Sequence, residues 1–259
     1  MVDFPRALVT GGSRGIGAQV AAMLAARGCD IVLCYREKHK RAAAVAAQVE
    51  KLGRRCTLLP GDLARQDDLG RITRQIADHG PFAAIVLGAS GGLEAGKDLP
   101  YAMAINCYAP VALATAALPL CTPDANVIYV TSHGAHFYYH QPVLPIYAHV
   151  ALSKQSGEQC LRRMGELFAR YRARLHIVSG DIIEGTTTAS LIDRAAPGFL
   201  RRRKEQVGGL PTVKQFAEAI ALKALSRRSE DADALASWCG SIEPYVLTRR
   251  GHEGPDATE

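Results

Sequence analysis

Aromatic residues make up only 6% of the sequence, with a single tryptophan, and the 31 lysines and arginines are dispersed along it. The net charge of +6 therefore does not form the basic and aromatic stripe that nucleic-acid binding requires; attraction to anionic small molecules accounts for it. The seven cysteines are odd in number, and none forms a CxxC. This argues against a disulfide framework and for reduced thiols in a cytoplasmic protein. Long apolar runs are also missing. The longest, Ala109 to Cys121, is broken by Pro110 and Pro119 and is too short to span a bilayer, so no membrane partner is expected. The first strand begins by Arg6, which leaves no room for a signal peptide. There is no linker-like stretch and no repeat. With 48% hydrophobic and 22% charged residues, positions 1–259 read as a single domain with a full core.

Against these absences stands one dense motif. Thr10 to Gly17 reads TGGSRGIG. The apolar run Arg6 to Thr10 before it suits a buried parallel strand. The Ala- and Leu-rich stretch after it, from Ile16 to a stop at Gly28, has helical spacing. Strand, glycine turn and helix form the context in which such a turn cradles a pyrophosphate. Gly11, Gly15 and Gly17 let the backbone bend, approach the phosphates and pack helix on sheet. The positive end of the helix dipole then faces the phosphates.

The rest of the chain alternates. Strands are predicted at Ile31–Cys34, Cys56–Leu59, Ala83–Leu87, Val127–Thr131 and Leu175–Val178. Helices are predicted at Ala42–Leu52, Leu69–Ala77, Met103–Leu118 and Ala151–Phe168. This pattern implies right-handed crossovers and an α/β, Rossmann-like, doubly wound parallel sheet with helices on both faces. The segment 186–211 lacks clear periodicity and is rich in Thr, Gly, Pro and Arg; it reads as a mobile substrate lid.

TGGSRGIG, Asp62 after the third strand, Asn106 in the fourth helix, Ser132 after the fifth strand and Ser153-Lys154 in the next helix together resemble the short-chain dehydrogenase/reductase family. The likeness runs from about Arg6 to Leu225 and extends to ketoreductases that tailor angucyclinone polyketides. It implies carbonyl chemistry with a nicotinamide dinucleotide in a homodimer or homotetramer. The cofactor form follows from charge. NAD-specific sites place an acid at the end of the second strand to hold the ribose 2′-hydroxyl. This chain has Tyr35-Arg36 there and Arg14 in the turn, and two guanidiniums suit a 2′-phosphate, hence NADPH. The alternative is two surface charges. Ser13 and Ile16 complete the turn. The resemblance assigns Asp62 and Leu63 to the adenine, although Asp62 also suits a helix-capping loop acid. It assigns Gly180, Ile182 and Thr186 to the nicotinamide side. Two departures stand out. Gly88-Ala89-Ser90-Gly91-Gly92 replaces the usual Asn-Asn-Ala-Gly, and Ser179-Gly180 replaces Pro-Gly.

A third departure concerns chemistry. In the family a serine orients the carbonyl and a tyrosine supplies the proton. A lysine one helical turn later lowers the phenol from its ordinary pKa of about 10. Here Ser132 and Lys154 match, but the residue four before Lys154 is Val150, which donates no proton. Twenty-two positions separate Ser132 from Lys154, more than the family usually shows. Tyr147 precedes Lys154 by seven residues. On a continuous helix that is two turns, about 10 Å. A break in the helix would bring it back; otherwise it is a packed loop aromatic. The resemblance also makes Asn106 the holder of a water beside the lysine.

The insertion 133–145 carries His133, His136 and His140. No cysteine or carboxylate joins them at ligand spacing, so no metal is expected. A histidine as general acid is an alternative. The leading reading is an aromatic-rich wall for a flat substrate. Arg201 to Lys204 reads as a solvated lid face, or as a clamp for an acidic substrate. Two functions remain. One is an NADPH-dependent ketoreductase acting on a polycyclic aromatic ketone by a protonation route other than the usual tyrosine, with the substrate itself as one candidate acid. The other is a catalytically silent NADP-binding sensor.

Overall fold

The computed structural model describes residues 5–227 and 235–246. Five elements alternate first: β1 (Arg6–Thr10), α1 (Gly15–Ala26), β2 (Asp30–Tyr35), α2 (His39–Lys51) and β3 (Cys56–Pro60). Next come α3 (Gln66–Gln75), β4 (Phe82–Leu87), α4 (Leu99–Met103), α5 (Ala109–Ala117) and β5 (Cys121–Ser132). The second half holds α6 (His133–His136), α7 (Ala148–Arg163), α8 (Gly165–Arg170), β6 (Arg174–Gly180), α9 (Thr187–Ala195) and α10 (Phe199–Val207). It ends with α11 (Val213–Ala224), β7 (Ala236–Cys239) and α12 (Glu243–Val246).

The sheet has seven strands in the order β3-β2-β1-β4-β5-β6-β7, and every pair is parallel. Alternate side chains enter opposite cores, as the two-residue strand period requires. Ala7 and Val9 of β1, with Ile31 and Leu33 of β2, pack among α1, α2 and α11. Leu8, Val32 and Cys34 face the other way, toward α3, α5 and α7. Leu8, Leu24, Leu33 and Ile85 are fully buried. Each such side chain contributes about 1.5–3 kcal/mol by leaving water. The strand order reverses between β1 and β4, and the crevice at that switch point is where this architecture takes ligands.

The structure departs from expectation in several places. Strand β7 has no counterpart among the predicted strands. Segment 186–211 is not irregular, since it carries α9 and α10. Thr186 caps α9 by accepting from Ala189 N, and Gly198 and Gly208 bracket α10 in the left-handed region. The expected helix Ala151–Phe168 starts at Ala148 and breaks at Met164. The helical run from Leu99 to Leu120 spans 22 residues, contrary to the expectation of no such stretch, and by length and composition it could cross a membrane. Half of its most apolar window is buried inside this fold, against the sheet.

Candidate active site

The glycine turn closes tightly on its neighbours. Gly11 has φ +72°, and a Cβ there would meet Ala89 Cα at 2.9 Å. A Cβ on Gly17 would lie 2.4 Å from Gly11 O. Thr10 Oγ1 accepts from the backbone N–H groups of Gly88 and Ala89, both at 3.0 Å, and so fastens the remodelled β4 loop to the turn. Gly15, at φ +55°, opens α1; a Cβ there would meet nothing within 4 Å, and the first turn of α1 has no acidic residue. Free backbone donors and an unopposed helix dipole fit a pyrophosphate.

A cavity of about 730 Å³ opens beside this turn. It brings together Arg14, Ile16, Ser132, Tyr147, Lys154, Gly180 and Ile182. Gly11, Ser13, Gly15 and Gly17 form the adjoining turn. Arg36, Asp62 and Leu63 lie outside the cavity, toward the ends of β2 and β3. The two arginines part company. Arg14 donates to Thr187 Oγ1 of α9 at 2.6 Å, whereas Arg36 donates to Tyr101 OH and to Glu37 Oε1, each at 3.0 Å. Asp62 accepts from Ala64 N at 3.0 Å in a local turn, and Leu63 is buried.

Tyr147 closes a short 3₁₀ turn, Pro145 to Tyr147, that leads directly into α7. It thus lies at the junction of that turn and α7, seven residues before Lys154. Tyr147 OH lies 2.8 Å from Ser132 Oγ. Ser132 in turn caps α6 by accepting from Ala135 N at 3.2 Å. Burial raises the Tyr147 phenol above its ordinary value, although the Ser132 hydrogen bond opposes this.

Lys154 is buried, and its Nζ donates to Val130 O at 3.1 Å. Burial pushes its ammonium down to about 8. No hydrogen bond joins Lys154 to Tyr147. Val150 is 3% exposed and packs against the Gly92 position. His149 Nε2 bonds Gly92 O, which ties the start of α7 to the β4 loop.

Asn106 sits in a single π-helical turn, Ala104–Tyr108, between α4 and α5. Such turns recur at functional sites. Its Nδ2 donates to Gly91 O at 2.9 Å and Ser153 Oγ at 3.0 Å, and its Oδ1 accepts from Gly91 N at 3.3 Å. The side chain braces the β4 loop against α7. Tyr129 OH donates to Asn106 O at 2.7 Å behind it.

The three histidines of the insertion diverge. His133 is fully buried, with Nδ1 2.8 Å from Ser179 Oγ. Burial pushes it down to about 4, so it is neutral at pH 7 and cannot serve as the general acid there. His136 pairs with Glu158 at 2.9 Å on the far side of α6. Among the described residues no three His, Cys, Asp or Glu side chains converge. Gly134 and Gln141 to Pro145, rather than the histidines, form the insertion's cavity wall.

The basic run of α10 divides. Arg202 lines the cavity, and Lys204 pairs with Glu184 at 2.7 Å. Arg203 is buried, and its Nη2 lies 2.9 Å from Asp181 Oδ2 at the end of β6. Its guanidinium also sits 4.9 Å from the Tyr245 ring centre. Sequence reasoning missed this pair. The two partners lie 22 residues apart, with no motif joining them.

The family pattern described as enoyl-(acyl carrier protein) reductase matches residues 11–226. A curated relative, the short-chain dehydrogenase/reductase FrzI of Cladobotryum sp, is 30% identical over 67% of this chain and 68% of its own. The chain belongs to the short-chain dehydrogenase/reductase family. Two solved structures share the fold of this reductase. One is the promiscuous reductase LugOII, which catalyses keto-reduction at C1 in lugdunomycin biosynthesis. It superposes with TM-score 0.73 at 19% identity, covering 91% of this chain and 94% of that one. The other is the landomycin C-6 ketoreductase LanV with bound NADP and rabelomycin. It gives TM-score 0.70 at 22% identity, covering 90% and 94%.

Proposed function

We propose that this reductase is an NADPH-dependent ketoreductase that converts a ketone of a polycyclic, angucyclinone-like polyketide to the alcohol, with the substrate supplying the proton. The observation that carries this reading is the cavity. It joins the phosphate-binding turn to Ser132, Tyr147 and Lys154, and its volume of about 730 Å³ lies in the range of small-molecule sites. Leu93, Val143, Leu144, Leu191, Ile192 and Phe199 supply apolar walls suited to flat rings. The sequence likeness to angucyclinone ketoreductases, the simocyclinone-pathway 7-ketoreductase among them, points to the same substrate class, as do the activities of LugOII and LanV.

When bound, NADPH supplies a hydride to the carbonyl carbon. The glycine turn would hold its pyrophosphate, Arg14 and Arg36 its 2′-phosphate, and Lys154 the ribose next to the reacting ring. Gly180 and Ile182 would wall the nicotinamide side. Ser132 and Tyr147 present hydroxyls to the carbonyl oxygen and orient it. The alkoxide then needs a proton. Tyr147 is a poor source, because its phenol is held above its ordinary value and no hydrogen bond to Lys154 counters this. A phenolic hydroxyl peri to the ketone is already within hydrogen-bond reach and transfers its proton as the new C–H bond forms. Helices α9 and α10 act as the lid that excludes water. By family analogy the enzyme works as a homo-oligomer. Its seven free cysteines suit a cytoplasmic setting.

The test is consumption of NADPH with a hydroxylated polycyclic ketone, with the alcohol identified by mass spectrometry. Stoichiometric alcohol is expected. NADPH binding without turnover across a panel of such ketones would overturn the reading.

A further inference from the structure

The residues that hold Arg36 come from a part of the chain that no motif marks. The Asp98 side chain caps α4 by accepting from Tyr101 N at 3.0 Å, which fixes the Tyr101 backbone. The ring then lies against the β4 loop: a Cβ on Gly91 would meet Tyr101 Cε1 at 3.2 Å. From there the phenol oxygen accepts a hydrogen bond from Arg36 Nη1 at 3.0 Å. Lys97 places its Nζ 3.8 Å from the centre of the same ring. Cation–π contact and hydrogen bond thus converge on one side chain. The loop before α4, the β4 loop and the end of β2 are joined at this ring.

The location matters. In this architecture the end of β2 faces the adenosine ribose, one position along from the pyrophosphate turn. Arg36 alone is a weak phosphate receptor here, because Glu37 Oε1 takes its Nη2 at 3.0 Å and offsets its charge. Asp62 and Glu94 add negative charge around the phenol. A cation beyond Arg14 and Arg36 would favour a dianionic group where Glu37 offsets the charge of Arg36, and Lys97 lies against the ring that holds Arg36.

We propose that Tyr101 and Lys97 determine cofactor specificity: Tyr101 positions Arg36, and Lys97, stacked on the same ring, adds a further cation, so that this corner selects a dinucleotide bearing a 2′-phosphate. This rests on the NADPH reading above. It adds a receptor built on α4 to the arginine of β2. Tyr101 is a positioning residue, since it acts through Arg36.

The test uses binding rather than turnover. Adenosine 2′,5′-bisphosphate and 5′-AMP differ only in the 2′-phosphate, and their affinities are measured by calorimetry on the full chain, with NADPH and NADH alongside. Tyr101→Phe keeps the ring and removes the tether. It is expected to weaken the bisphosphate about five- to tenfold and to leave 5′-AMP within about twofold. Lys97→Met is expected to do the same and to flatten the salt dependence of bisphosphate binding. Equal weakening of both ligands in the two variants would mark a structural role and overturn the proposal, as would unchanged affinities. Should Tyr101→Phe fail to fold, Lys97→Met at the surface decides alone. Failure of the underlying reading is separately visible, because wild type would then bind the two ligands equally before any variant is made; the proposal falls with it.

Discussion

Replacing Tyr147 by phenylalanine removes the hydroxyl that touches Ser132 and little else. If the phenol were the proton donor, turnover would fall by the 10²–10⁴-fold that general acid catalysis typically supplies. With the acid on the substrate, Tyr147→Phe keeps at least about a tenth of the wild-type kcat. A thousandfold fall in an enzyme that melts normally would make Tyr147 the donor. His133 gives a prediction of a different kind. Burial holds its folded-state pKa near 4, below the ordinary value of 6.5. Its contribution is therefore fully present above pH 6.5. Between there and about pH 4 the unfolded chain binds a proton that the native state refuses, and stability is lost as pH falls. The loss is at most about 3 kcal/mol. Denaturant titrations across this window should show that decline in wild type and a flatter one in His133→Asn. Parallel curves would contradict the assignment.

At the level of elements, the site depends on how closely α7 approaches the π-helical turn that carries Asn106. A Cβ on Gly157 would lie 2.3 Å from Asn106 O and 2.7 Å from Tyr129 OH. Backbone cannot yield as a flexible side chain does, so Gly157→Ala should cost on the order of 1–3 kcal/mol. Each kcal/mol corresponds to about 2–4 °C in a chain of this size. A melting temperature within about a degree of wild type would show that the two elements separate freely. The same scale explains what was legible. Strands β1, β2 and β4 carry continuous apolar runs because both faces of the sheet are covered, and their positions could be read directly. The start of the helical segment that leads into α7 was also signalled. Pro145 fixes φ at the start of a helical segment and marks a new beginning. The π-helical turn and α9 and α10 carry no comparable local signal. The basic run of α10 looked solvated because its partner, Asp181, is distant in sequence.

The whole molecule combines its family's scaffold with an altered chemical end. The glycine turn and the parallel sheet were implied by the alternation of apolar runs and by TGGSRGIG. The contacts of Arg36 with Tyr101, of Arg14 with α9, and of His133 with Ser179 were not, because each joins segments far apart in the chain. Val150 stands where the family has its acid, while Ser132, Tyr147 and Lys154 still surround one cavity. On the reading proposed above, the proton comes from the substrate rather than from the protein's own side chains. The direct measurement is the single-turnover rate of a ketone bearing a free peri hydroxyl against that of its O-methyl ether, with binding of each determined separately. Substrate-supplied protonation predicts that the ether binds within about an order of magnitude of the phenol and is reduced at least about a hundredfold more slowly. An ether that binds and is reduced at the same rate would contradict it.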